Sequence, residues 1–475
     1  MEWNNLLSEK RIRELVEGSH AGQAPDERTE HGRDYDRAIF STPLRRLQDK
    51  TQVFPLDPND SVRTRLTHSL EVSNVARNIA QSIGNWLLNE EKEITKEQKE
   101  SIEMIAATCG LIHDLGNPPF GHAGEKAIQE WFKNKDDNFF AFSQDIDNRE
   151  QLKKDFLEFG GNAHTIRLVS KLQILAELHG LNPTYATMSA ACKYIAPSDG
   201  ITENIHEKSK LGYFASEQEL INKIQEETGT FEKRNPIAYI VESADDITYS
   251  VVDIEDGVTK GIINWNNIEE KLNEEFAEAL GEQTFSKSDS GMLNFCILKA
   301  NNYLKKGDPS ILEKGRKPHD NAMVETFRIF VIIQTAIAIE ETYKENYNAI
   351  MNGTYHNELY KDSKAGALIE ACKKVGQKYI YCAKENLKLE LMGRRVIHDL
   401  MDIFWEGAST GCEKKKGFER KIFDLTSRNY RVVYNKAISE NKLPKEYYQM
   451  QLMTDYICGM TDTFACTLHK RLTNG

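Results

Sequence analysis

The sequence predicts an all-α protein, and three observations carry that reading. Apolar residues recur at helical spacing over most of the chain, and runs that alternate apolar with polar residues are scarce. Pro- and Gly-rich loops punctuate the helical segments. No internal repeat or low-complexity linker interrupts them.

Taken in order, the loop PLDPND at 55–60 precedes a helix around 70–80, whose stripe is Val72, Val75, Ala76, Ile79 and Ala80. Ile102, Ile105, Ala106 and Cys109 form the stripe of the next. GNPPFG at 116–121 and the polar run at 133–150 read as loops. Helices are then predicted over 165–180, 216–227 and 237–256, a loop at KKGDPS (305–310), and helices over 321–347, 363–385, 390–406 and 447–472.

At 475 residues, 40% hydrophobic and 28% charged, the chain has the composition of a soluble globular protein with a sizeable core. Its 73 acidic and 61 basic residues give a net charge of −12. That excludes a broad basic surface for nucleic acid, though not a local groove. MEWNNLLSEKRIRELVEG has no uninterrupted apolar region, so no signal peptide is expected. The longest apolar stretch, 330–339, is too short for a membrane span and is broken by Gln334 and Thr335; it predicts a buried core helix. The 8 cysteines form no CxxC pair, which predicts reduced thiols in a cytoplasmic protein.

Three segments place metal-competent residues on apolar helix faces. In RTRLTHSLEVSNVA, His68 precedes Val72 by one turn on the stripe. In IEMIAATCGLIHDLG, His113 continues the stripe and Asp114 follows it. In AYIVESADDITYSVVDIEDG, Asp245 continues Ala238 and Val241, with Tyr249 and Asp253 at i+4 and i+8. Each would be costly if buried alone. Together they make an N/O ligand set for one divalent cation, with positions left for water and substrate. Neighbours on a helix diverge by roughly 100°, so an adjacent His-Asp pair serving one centre suits a helix end, which Gly116 and the following prolines supply.

His122 and Glu125 are three apart just after Gly121. That placement suits a proton-transfer pair, and equally an exposed helix start with a capping carboxylate. Arg33, Arg37, Arg45, Arg46, Arg63 and Arg65 crowd the approach to His68. Arg65 shares the His68 face and is placed to reach an anion at the cation; Arg45 and Arg46 suit a solvated basic face at least as well. KGRK near 314 and RKIFDLTSRNYR near 420 also read as solvated faces.

With these residues assembled, the sequence resembles the HD-domain superfamily of metal phosphohydrolases. More closely, it resembles the bacterial deoxyguanosinetriphosphate triphosphohydrolases, relatives of the vertebrate SAM-and-HD-domain dNTPase. The similar stretches are RDYDRAIFSTPLRRLQDKTQVFPL, VRTRLTHSLEVS, GLIHDLGNPPFGHAGE, FGGNAHTIR, ESADDITYSVVDIEDG and LMTDYICGMTD. The resemblance implies an HD-type helical core at 61–260. An N-terminal segment at 1–60 would add substrate contacts, and a helical region at 261–475 would complete the nucleotide pocket.

It further implies that His68, His113, Asp114 and Asp245 hold one Mg²⁺ or Mn²⁺, and that His122 and Glu125 are the catalytic pair. Gln52 and Arg65 match positions on the sugar 3′-hydroxyl and the phosphate. Lys193 resembles a triphosphate-binding lysine, and Tyr249 and Asp253 match contacts to the deoxyribose. The implied reaction is hydrolysis of dGTP to deoxyguanosine and tripolyphosphate. The alternatives are a broad dNTP triphosphohydrolase, a nucleotidase or phosphodiesterase of the wider superfamily, or a nucleotide-sensing, nucleic-acid-binding regulator. The implied partners are a second copy of the chain, up to a hexamer, and a single-stranded DNA or nucleotide effector, with no membrane.

Overall fold

The computed structural model describes residues 1–17, 28–56, 59, 61–143, 148–173, 179–307 and 317–473. The helices that build the site are α1 (Glu30–Ile39), α2 (Arg65–Trp86), α3 (Lys96–Ile112), α4 (Gly121–Lys133), α5 (Pro236–Thr259), α6 (Lys317–Glu345), α7 (Gly366–Val375), α8 (Lys384–Glu406), α9 (Lys445–Cys458) and α10 (Asp462–Thr473). Among the described residues the only β pairings are isolated bridges, such as Thr51 with Thr64. The fold is all-α.

Local chemistry starts the two central helices. Thr64 accepts from the Thr67 N–H while the Thr67 side chain bonds back to the Thr64 backbone, and Thr95 and Gln98 repeat this capping box at α3. The apolar stripes then pair: Val72, Ala76, Ile79 and Ile83 of α2 lie in one core with Ile102, Ile105 and Cys109 of α3. Each such Val or Ile contributes about 1.5–3 kcal/mol by leaving water. The crossing is close because Gly110 has no Cβ; one added there would stand 2.8 Å from Ser73 Cα. α5 starts at Pro236 behind an Asn235 cap. It is buried nearly all round, several of its carboxylates included, and is packed by α2, α3, α6 and α7.

The core has two parts. The first holds α2, most of α3, α5, α6 and α7. The second holds Leu111, Ile112 and Leu115 together with α4, α8 and α9. α3 crosses from one to the other, so its last residues lie at the seam.

Several elements differ from expectation for identifiable reasons. The helix expected over 165–180 starts earlier, at Gly161, and ends in a wider turn at Leu168–Leu172; residues 174–178 lie outside the described residues. The one expected over 447–472 is two helices, because the chain turns at Gly459 and Thr461 caps α10 by accepting from the Phe464 N–H. The 363–385 expectation becomes α7, a wider turn at Gly376–Tyr381, and the start of α8. A helix at Arg149–Leu157 begins within the end of the polar run. α6 extends past the apolar run at both ends and is not buried throughout. Met323, Phe327, Val331 and Ile339 are buried, while Ile329, Ile333 and Ile337 are 46–48% exposed. It alone among the described helices is long and apolar enough to span a membrane, and less than half of that window is buried. Phe423 and Tyr430 in RKIFDLTSRNYR are buried, so that stretch is more than a solvated face. Positions 57–58 and 60 of PLDPND, 308–310 of KKGDPS and 314–316 of KGRK lie outside the described residues.

Asp155 is a buried joint in the second core. It accepts from the Ala215 N–H at 2.7 Å, the Tyr447 hydroxyl at 2.6 Å and the Ser198 hydroxyl at 2.7 Å. Burial outweighs these donors and pushes its pKa up to about 7. The folded state therefore holds this proton more tightly than the unfolded chain, and stability falls as pH rises from about 4 to about 7. Asp155→Asn is expected to remove that part of the slope. Urea midpoints of both proteins between pH 4.5 and 7.5 check it; equal slopes would contradict it.

Candidate metal centre

Arg65 opens α2, and His68 lies one turn later, 1% exposed. The chain leaves the helix after Ile112, and the Asn117 N–H closes a turn onto the Asp114 carbonyl at 3.2 Å. That departure lets His113 and Asp114, which a continuing helix would splay apart, face one centre. Single ligand atoms of His68, His113 and Asp114 all lie within 4.8 Å of one another. Asp245 on α5 closes the fourth side, its Oδ1 3.1 Å from His68 Nε2 and 3.6 Å from His113 Nε2. Its neighbour Asp246 turns away and accepts from Lys373 Nζ at 2.6 Å. The geometry therefore separates the two adjacent aspartates.

The donor set fits a divalent cation. His113 Nδ1–H donates to the Gly110 carbonyl at 2.8 Å, which leaves Nε2 facing inward. That nitrogen is buried without a hydrogen-bond partner, 3.5 Å from Asp114 Oδ2 and 3.6 Å from Asp245 Oδ1. A lone pair aimed at two carboxylates needs a positive charge between them. With bonds of roughly 2.0–2.2 Å, adjacent ligand atoms stand about 3.0–3.5 Å apart, close to what is seen. Burial opposes ionisation of Asp245, but His113, the His68 bond and Lys193 outweigh it and hold the carboxyl well below its usual range. For Asp114, His113 and Arg65 likewise prevail over burial.

Arg65 donates through Nη1 to Asp114 Oδ2. Its Nη2 would stand 2.4 Å from a Gly121 Cβ, so glycine lets α4 begin there, at φ +57°, without displacing the guanidinium. A guanidinium thus meets the amide end of a 13-residue helix, an arrangement suited to an anion. The other upstream arginines are used elsewhere: Arg63 binds Glu71, Glu255 and Asp256, and Arg45 is exposed beside Thr42. Lys193 Nζ lies 3.8 Å from Asp245 Oδ2 and 3.6 Å from Glu242 Oε1. Glu242 is held in turn by Arg234 and His206, each at 2.7 Å. Gln52 Oε1 is buried without a partner.

His122 and Glu125 occupy the first turn of α4. The Nδ1 to Oε1 separation is 3.7 Å, longer than a hydrogen bond, and the His122 side chain is 69% exposed. Glu125 is anchored by the Gly161 N–H at 2.7 Å. Asp253 is buried, accepts from the Tyr381 hydroxyl, and keeps Oδ1 unpartnered; burial pushes its pKa up to about 7. Tyr249 is half-buried, its ring 6.2 Å from that of Tyr381.

Sequence reasoning missed Asn117, which donates to Asp114 Oδ1 at 2.6 Å; its place three residues after Asp114 was the available signal. It also missed Tyr381 and Lys373, which arrive from more than 120 residues away with no local signature. Asn162 and Thr165 line a cavity of about 90 Å³ with His113, Asp114, Lys193 and Asp245. A larger cavity of about 610 Å³, between Arg167, Ser216, Tyr434 and Lys442, contains none of the metal-cluster residues.

Helices converging a His-Asp pair with a distant histidine and aspartate define an HD-type metal-dependent hydrolase. The HD domain model matches residues 65–178 and the phosphohydrolase-associated domain model residues 361–471. The chain is 35% identical to the deoxyguanosinetriphosphate triphosphohydrolase-like proteins of Listeria monocytogenes and Listeria innocua, over 99% of each chain. It is 31% identical to the deoxyguanosinetriphosphate triphosphohydrolase of Yersinia enterocolitica over 92% of both. The chain belongs to the deoxyguanosinetriphosphate triphosphohydrolase family of HD-domain proteins.

Proposed function

We propose that the chain hydrolyses dGTP to deoxyguanosine and inorganic tripolyphosphate, with one Mg²⁺ or Mn²⁺ held by His68, His113, Asp114 and Asp245. The observation that carries this reading is the four-ligand cluster bridged by Arg65 to the amide end of α4, a cation and an anion site side by side. The names of the Listeria and Yersinia relatives support the substrate.

When bound, the cation offsets negative charge developing at the α-phosphate. Arg65 Nη2 holds the phosphate beside the positive end of α4, and Lys193 holds the rest of the triphosphate. Water attacks the α-phosphorus in line, and the phosphorus–5′-oxygen bond opposite it breaks. Deoxyguanosine leaves with that oxygen, which takes up a proton from solvent, while tripolyphosphate keeps the α-phosphorus. His122 Nε2 takes the proton of the attacking water while Glu125, fixed by Gly161, orients the ring through Nδ1. Gln52 and Asp253 bind the sugar 3′-hydroxyl side, and Tyr249 stands where a 2′-hydroxyl would project.

On this reading residues 1–60 add substrate contacts, 61–260 form the catalytic core and 261–475 complete the nucleotide pocket. The reach of Lys373 and Tyr381 into the core supports that division. We place the enzyme in the cytoplasm, which its eight unpaired cysteines suit, as a homo-oligomer open to a nucleotide or single-stranded DNA effector.

Product analysis tests the reaction. With Mg²⁺ or Mn²⁺, dGTP is expected to yield deoxyguanosine and tripolyphosphate, and GTP far less. Equal turnover of all four dNTPs would replace dGTP with a broad substrate class. Absence of tripolyphosphate from any of them, with effectors added, would overturn the reading.

A further inference from the structure

LMTDYICGMTD, near the end of the chain, has no role in the chemistry above. Its aspartates are nonetheless almost fully buried, and both act on the loop between the metal-ligand pair and α4. Asp462 Oδ1 accepts from the Phe120 N–H at 2.9 Å. Its Oδ2 accepts from the Thr51 N–H at 3.0 Å and from the Thr51 hydroxyl. Lys50 bridges the same pieces, donating to the Asn117 carbonyl at 2.6 Å and the Cys458 carbonyl at 2.7 Å. At the other end of the loop, His164 Nδ1 donates to the Gly116 carbonyl at 3.1 Å, and its Nε2 lies 3.3 Å from Asp455 Oδ1.

The held segment is strained. Phe120 has φ +63° and Gly121 has φ +57°. For a bulky aromatic residue the left-handed region is unfavourable and persists only where its surroundings over-determine it. The Asp462 bond to its N–H is one constraint. The other is its ring, packed so closely on α8 that a Cβ on Gly393 would stand 2.7 Å from it. This left-handed pair sets where α4 begins, and hence where His122, Glu125 and the amides facing Arg65 lie. Thr51, held by the same carboxylate, directly precedes Gln52.

We infer that Asp462 is a positioning residue. It locks the strained turn at Phe120 and Gly121, so that the first turn of α4 meets the metal centre in register. The inference rests on the proposed triphosphohydrolase reading for its kinetic consequence alone. An asparagine of the same shape replaces one acceptor with an NH₂ group. In either orientation that NH₂ opposes the N–H of Phe120 or of Thr51.

The test is a double-mutant cycle with His122 on the full chain. Asp462→Asn is expected to lower kcat by about 10–100-fold, the scale of a small misplacement of a reacting group, while the protein still unfolds in one cooperative transition above the assay temperature. On a His122→Ala background it is expected to cost less than about 3-fold, since the group it positions is gone. Full additivity, or an unchanged kcat in the single variant, would overturn the inference. A second measurement does not need the substrate: backbone amide exchange over 120–125 is expected to speed up in Asp462→Asn, and in Asp462→Ala if it folds. Unchanged exchange there would also overturn it. Wild-type protein without triphosphohydrolase activity would instead count against the proposed function, leaving the exchange result to decide this one.

Discussion

Asp245→Ala is expected to abolish tight divalent-cation binding and to lower turnover by about 10³-fold or more. Transition-state charge stabilisation by a bound cation is worth several kcal/mol, and each 1.4 kcal/mol is tenfold in rate. The loss follows from geometry: Asp245 Oδ1 lies 3.1 Å from His68 Nε2 and 3.6 Å from His113 Nε2, and so faces both histidines. It also follows from electrostatics. His113, His68 and Lys193 prevail over burial and keep this carboxyl ionised well below neutral pH, so the carboxylate itself is available as a ligand. Without it, His68 and His113 retain only Asp114. Asp246→Asn is the contrasting variant. That side chain faces Lys373, so cation binding is expected to survive. Calorimetric Mn²⁺ titration of both variants distinguishes them. A cation bound normally by Asp245→Ala, or lost only in Asp246→Asn, would reverse the assignment.

Arg167→Ala is expected to destabilise the fold by about 3–5 kcal/mol, the range for removing one partner of a buried charge pair. The guanidinium donates to Asp455 at 2.8 and 2.7 Å and to Glu217 at 3.0 Å, with all three side chains at most 5% exposed. Glu217 retains Lys171, but Asp455 retains only His164. In the intact protein these charges outweigh burial and lower both carboxyl pKa values. Their stabilisation is thus present above the ordinary carboxylate range and is lost as pH falls through the depressed values. Without Arg167, burial dominates and Asp455 is better accommodated protonated. The deficit of the variant should therefore be largest near neutral pH and shrink toward pH 4. Denaturant unfolding of both proteins at pH 7 and pH 4.5 measures it; a deficit under 1 kcal/mol at pH 7, or one that grows in acid, would contradict the account.

What the sequence alone determined is local. Helix starts at Thr64 and Thr95 are written in residues three apart. The inward placement of His68, His113 and Asp245 is written in stripes of period 3.6, because backbone hydrogen bonds tie a residue's direction to its neighbours at i+3 and i+4. The helix end that lets His113 and Asp114 converge is written in GNPP. Family resemblance added the choice of Asp245 over Asp246; in the structure Asp245 faces His68 and Asp246 faces Lys373.

Tertiary structure decided everything that depends on packing between distant segments. Tyr381 on Asp253, Lys373 on Asp246 and Asp462 on Phe120 join residues 128, 127 and 342 positions apart. No periodicity encodes such partners, because the contact depends on how whole helices cross. The same holds for α6, whose apolar residues are buried or exposed according to which neighbours cover each face. It holds also for α9 and α10, which periodicity joins, and which the turn at Gly459 separates so that Asp462 can reach the loop that follows His113 and Asp114.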